Sequence, residues 1–203
     1  MVFPSQFILS HLVADHAFTN ANKISKFGKL DLIKHWIWVI LILLAFTFDT
    51  LLKMPKGVLL ISTYIIAHML VDLFRKRNFV IAELIGLSVA FFLNVVAWKY
   101  LLDSYITPEF STYILGMTMT SAVPTTVFRC IGMIPLESND SDGIFERLLA
   151  FVLVNASQYL WVFVIFVMVL VYRLLFMRFS KYWIISPIVG LTLSIIWKII
   201  IYG

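Results

Sequence analysis

Charge is scarce in this chain. Only 13% of its 203 residues are charged and 62% are hydrophobic, where soluble domains run at roughly 25% charged and about 45–50% apolar. A soluble fold of this size cannot hide so much apolar surface, so lipid is the expected solvent for much of the chain. Cysteine is scarcer still. The single Cys130 excludes an intrachain disulfide and a thiolate metal cluster, and it leaves the redox compartment open. The net charge of +5 forms no basic stripe with interleaved stacking aromatics, so no direct nucleic-acid partner is expected. Lys and Arg instead sit in short clusters between apolar runs, as in loops beside anionic lipid. The opening "MVFPSQFILSHLVAD" has no Lys or Arg before its apolar stretch and lacks the basic region of a cleaved signal peptide. It reads as a retained part of the fold. A phosphate loop, a nucleophile elbow and an HExxH zinc signature are also missing.

What is present is a series of apolar segments. A membrane span needs about 20 mostly apolar residues, and the test picks out Phe3–Phe18 (A, short), Leu32–Leu52 (B), Gly57–Phe74 (C), Val80–Leu102 (D), Phe110–Ile134 (E, interrupted by Pro124), Ile144–Phe176 (F) and Trp183–Ile201 (G). The expected architecture is an all-α polytopic transmembrane helical bundle of six or seven spans, with one re-entrant or broken element. It forms a single integral membrane domain over residues 1–203, with His/Asp-containing helices in 1–104 and C-terminal helices in 105–203. Trp36, Trp38, Trp98, Trp183 and Trp197 fall near segment ends, where amphipathic rings prefer to sit. Unbroken, F would be about 50 Å long at ~1.5 Å per residue, beyond the roughly 30 Å of bilayer hydrocarbon. It is therefore either split near Asn155–Gln158 or protrudes. The polar stretch "PLESNDSDG" leads into F, and "ERLL", Glu146–Leu149, reads as a solvated helix start.

Positive charge orients the chain. Lys23, Lys26, Lys29 and Lys34 precede B, and Arg75, Lys76 and Arg77 lie between C and D, two crossings later. Arg173, Arg178 and Lys181 lie between F and G, but three crossings on from the C–D loop, an odd number. One of E and F is therefore expected not to cross as a single helix.

The same orientation brings polar residues to one level. His11 and Asp15 end A, His35 opens B, His68 and Asp72 end C, and Glu83 opens D. His16 stands one step round the helix from Asp15 and is expected to face headgroups, while Asp49 belongs to the opposite end of B. Residues four apart share a helix face, so His11–Asp15 and His68–Asp72 can both point into the bundle. Ionisable groups at membrane depth usually face one another or a wet cavity. Three readings stay open for the cluster of His11, Asp15, His35, His68, Asp72 and Glu83. It knits helices together. It presents His11, Asp15, His68 and Asp72 to a divalent metal such as zinc. Or it relays protons. Asn94, Asn155 and Gln158 read as interhelical hydrogen-bond partners.

At these residues the chain resembles a bacterial inner-membrane group, the domain-of-unknown-function family 3307. "HLVADHAFTNANK" supplies His11, Leu12, Asp15, Asn22 and Lys23, and "AHMLVD" supplies a second His-x-x-x-Asp. "SAVPTTVFR" and "GIFERLLA" resemble later segments of longer members. Where the family tends to show Asp-Gln and then His, this chain has Ala82, Glu83 and Gly86. The resemblance implies a polytopic membrane protein and supplies no activity. The expected function is a non-enzymatic anchor, sensor or channel-like component of the bacterial inner membrane. It would need no cofactor, lie among membrane lipids, form a homo-oligomer or work with a soluble partner, and serve a stress or phage-defence system. The alternatives are an intramembrane metal-dependent hydrolase and a small transporter.

Overall fold

A computed structural model describes residues 2–17, 19–176 and 180–203. Among the described residues it is all-helical. In chain order it contains α1 (Gln6–Leu12), a π-helical turn (Val13–Ala17), α2 (Ala21–Ile24), α3 (Lys29–Leu51), α4 (Pro55–Arg75), α5 (Phe79–Leu101), α6 (Pro108–Ser121), α7 (Val123–Cys130), α8 (Ser141–Asn155), α9 (Tyr159–Phe176) and α10 (Tyr182–Tyr202). Five of these, α3, α4, α5, α9 and α10, are long and apolar enough to cross a membrane. Segments B, C, D and G coincide with α3, α4, α5 and α10 to within a few residues. The other segments are where the expected count of spans exceeds five. A is a short helix plus a π turn, E is broken into α6 and α7 beside Pro124, and F is split into α8 and α9. Phe18, the last residue of A, and Arg178 lie outside the described residues.

The chain divides into two compact units, Met1–Leu115 and Gly116–Gly203. In the first, α4 and α5 form a tight antiparallel pair, and α1 packs on α3 and α5. Asn78 starts α5 by accepting a hydrogen bond from the Ile81 N–H at 3.0 Å, as a cap must. Seven residues are too few for an isolated helix, so α1 depends on burial. Phe7, Leu9, Val13 and Ala14 join Leu43, Tyr64 and Leu93 in the core. Ser5 makes no side-chain cap. Asn94 on α5 performs that task instead, accepting from the Phe7 N–H at 2.8 Å and donating to the Pro4 carbonyl. Non-helical backbone at membrane depth survives only when protein satisfies it, and Asn94 does so here.

In the second unit each break in the helices has a named partner. Thr125 N–H bonds to the Ala122 carbonyl, which leaves the Ser121 carbonyl to Arg147 Nε and Nη2 at 3.0 and 2.9 Å. Pro187 inside α10 has no N–H to give the Trp183 carbonyl, and Arg173 Nη1 supplies the bond at 3.2 Å. The α8–α9 joint turns at Ser157, φ 59°. Lys198 locks it by donating to Val154 O, Ser157 Oγ and Tyr159 Oη at 2.9, 2.7 and 2.8 Å.

The "ERLL" pair is not solvated. Glu146 and Arg147 are 2% and 0% exposed. Glu146 pairs with Arg173 at 2.8 Å, and Arg147 binds Asp140, Thr125, Tyr182 and Ser186. Breaking α6 and α7 leaves carbonyls that draw the guanidinium inward. Asn155 bonds its own helix, at the Phe151 carbonyl, rather than a neighbour.

Candidate metal-binding polar centre

The π turn explains how the opening helix presents its polar side chains. A π turn bonds i to i+5, so His11 and His16 share a face with Asp15 between them. His16 therefore does not face headgroups. It is 8% exposed and its Nε2 lies 2.8 Å from Glu83 Oε1. His11 Nε2 lies 3.3 Å from the same oxygen. Gly86, one turn along α5 from Glu83, leaves room for the His11 ring, because a Cβ there would come within 2.7 Å of its Cε1.

His35 from α3 and His68 and Asp72 from α4 meet Asp15 at the same place. His35 Nε2 is 3.3 Å from Asp15 Oδ1 and 3.4 Å from Asp72 Oδ2. His68 Nε2 is 3.4 Å from Asp15 Oδ1 and 3.5 Å from Asp72 Oδ2. All six residues expected to cluster are thus in one network, with His16 as a seventh, while Asp49 stands apart, accepting from Ser104 Oγ at 3.0 Å and from the Tyr105 N–H.

Two members were not expected. Arg75, read from sequence as a loop charge, is 1% exposed. Its Nη2 donates to Asp15 Oδ2 at 2.6 Å and Glu83 Oε2 at 2.9 Å, and Nη1 lies 3.4 Å from Asp72 Oδ1. Its place three residues after Asp72, on the same helix face, was the available signal. Trp36 was read as an interfacial ring, but its Nε1 donates to Asp72 Oδ2 at 3.1 Å. Nothing in its spacing marked that role.

Two groups of side chains have donor atoms close enough to surround an ion, each set within 4.8 Å: Asp15, His35, His68 and Asp72, and a second of His11, Asp15 and Glu83. The four-residue group differs from the expected ligand set in having His35 in place of His11. His11 stands behind His68, Nδ1 to Nδ1 at 3.4 Å, and Thr19 Oγ1 stands behind His35 Nδ1 at 3.4 Å. The centre is dry. The cleft bordered by Tyr64, His68, Val71 and Gly86 has no room for a water molecule.

Fold and site together define an all-helical chain with five candidate membrane spans and a buried His–Asp–Arg centre. Compared with protein-family models, with curated proteins and with solved structures, the chain matches none.

Proposed function

We propose that this chain is a non-enzymatic multi-pass protein of the bacterial inner membrane, acting as an anchor or sensor through contacts with further copies of itself or with a soluble partner. One observation carries the reading, the closure of the polar centre. Asp15 and Asp72 are 0% exposed, and His35 and His68 are 3% exposed. Hydrolysis needs a bound water at an open position, and the cleft beside His68 has no room for one.

The positive-inside rule supports a sidedness for the five candidate spans. Two of the candidate spans, α5 and α9, lie between the loop at Arg75–Arg77 and Lys181, and α6–α7 and α8 run opposite ways along α10, so the parity is even and the three basic clusters share the cytoplasmic face. Exposed Cys130 follows Phe128, whose ring packs on Tyr182 at the start of α10, so it lies at the same face as Lys181, the cytoplasmic one.

The full chain in liposomes tests the function. Hydrolysis of ester, phosphoester and peptide probes, and proton flux, are expected to match protein-free vesicles. Turnover or flux abolished by Asp72→Asn refutes the non-enzymatic reading. An impermeant thiol reagent is expected to label Cys130 only after lysis. Labelling in intact spheroplasts refutes the sidedness.

A further inference from the structure

We propose that the first unit holds one divalent cation of the zinc class between Asp15 Oδ1, His35 Nε2, His68 Nε2 and Asp72 Oδ2. The proposal goes beyond the anchor or sensor reading and rests on separate geometry.

The first argument is metric. Zinc bonds of about 2.0–2.1 Å in a tetrahedron give ligand-to-ligand edges of about 3.3–3.4 Å. The four His–Asp separations are 3.3, 3.4, 3.4 and 3.5 Å. An imidazolium donating to a carboxylate would instead close to roughly 2.7–2.9 Å. These separations are longer than such a bond and match the spacing of ligands around a common ion.

The second argument is satisfaction. His35 Nε2, His68 Nε2 and Asp15 Oδ1 make no hydrogen bond although fully buried. Buried polar atoms without partners are rare in native proteins and call for a specific explanation. Here the orphans converge on one point.

The third argument is charge. Asp15, Asp72 and Glu83 all face the Arg75 guanidinium. With neutral imidazoles, these three carboxylates exceed Arg75 by two negative charges, and Asp15 and Asp72 are 0% exposed, where unpaired charge is strongly disfavoured. One divalent cation balances them.

The surroundings fit a ligand shell. Metal-binding imidazoles and carboxylates are held by a second ring of polar groups. His11 stands behind His68, Thr19 behind His35, Arg75 on the far oxygen of Asp15, and Trp36 on Asp72. Two nitrogens and two oxygens in fourfold array suit zinc, whereas magnesium and calcium demand six or more oxygens. The number of ions is one. In the neighbouring His11, Asp15 and Glu83 group, Arg75 Nη2 already lies against both carboxylates, so a tethered cation stands where a second metal would go. With four protein ligands and no water the bound ion is structural or sensory in kind.

The test uses the full-length protein purified in detergent. About one zinc per chain is expected by elemental analysis. It is expected to be lost from His35→Ala and from His68→Ala, and kept in Cys130→Ser. His11→Gln is expected to bind zinc still, with an affinity lowered about 10–100-fold, as for loss of a supporting group. Should the histidine variants misfold, the wild-type protein decides. Stripped by chelator, it is expected to lose thermal stability, to regain it with zinc and not with magnesium, and to show the visible bands of four-coordinate cobalt when loaded with that ion. Wild-type protein that neither contains nor rebinds zinc overturns the proposal, as does zinc retained in both histidine variants.

Discussion

Replace Arg147 by Met and the second unit loses its central cation. Its side chain is 0% exposed, and it donates to Ser121 O, Tyr182 Oη, Ser186 Oγ, Thr125 Oγ1 and Asp140 Oδ2 over 2.6–3.0 Å. Methionine fills most of the volume, so the cost is electrostatic. Removing one partner of a buried ion pair costs about 3–5 kcal/mol, because the other charge stays behind. Asp140 keeps hydroxyl donors from Thr125 and Tyr182, which places the expected loss near the lower end, about 3 kcal/mol. For a chain of this length each kcal/mol moves the midpoint by roughly 2–4 °C, so a drop of about 6–12 °C is expected. Thermal unfolding in detergent, followed by circular dichroism, measures it. Adding Asp140→Asn to the Met variant neutralises the stranded carboxylate and is expected to restore about 1–2 kcal/mol, a coupling typical of residues in contact. An Arg147→Met midpoint within ~1 °C of wild type, or a double variant no better than the single, contradicts this account.

Two further outcomes bear on the first unit. Asn94→Leu strips the Phe7 N–H and Pro4 carbonyl of their partner and is expected to cost about 1–3 kcal/mol; an unchanged midpoint would show that α1 does not start on Asn94. Gly86→Ala drives a methyl against the His11 ring and is expected to cost about 1–3 kcal/mol through overpacking; most of that should vanish in a Gly86→Ala/His11→Ala double variant, and a cost that persists would place His11 elsewhere.

The long helices were legible because apolar length alone reports them, and α3, α4, α5 and α10 fall where hydropathy puts them. The seam in segment F was legible as a choice between two forms, but not the Lys198 lock that settles it, since Lys198 is some forty positions away in sequence. The histidines and acids were legible as a set because i, i+4 spacing and loop parity are local counts. Which histidines face which acids was not. The π turn rotates His16 inward, and the exchange of His11 for His35 depends on how α1, α3 and α4 pack. The burial of Arg75 was hidden by its position. A basic residue at a helix end reads as a loop charge until the neighbouring carboxylates are seen to turn toward it.

The three buried arginines show what distinguishes a binding centre from a structural knot. Arg147 and Arg173 in the second unit are surrounded by acceptors, and no fully buried side-chain nitrogen or oxygen of Arg147, Asp140, Arg173 or Glu146 is left without a partner. That network is complete as it stands. Arg75 belongs to a network built from the same residue types and buried as deeply, yet its Nε and Nη1, with His11 Nε2, His35 Nε2, His68 Nε2, Asp15 Oδ1 and Asp72 Oδ1, make no hydrogen bond. Burial and packing are matched, so neither explains why one network closes and the other does not. The difference is that three of these atoms, His35 Nε2, His68 Nε2 and Asp15 Oδ1, surround a common point at metal-ligand spacing, while the atoms of the second unit point at each other. A cation at that point satisfies those three atoms and makes the first unit, like the second, a buried cluster held by its own charges. Stripping the metal should then destabilise the first unit and leave the Arg147 network unchanged.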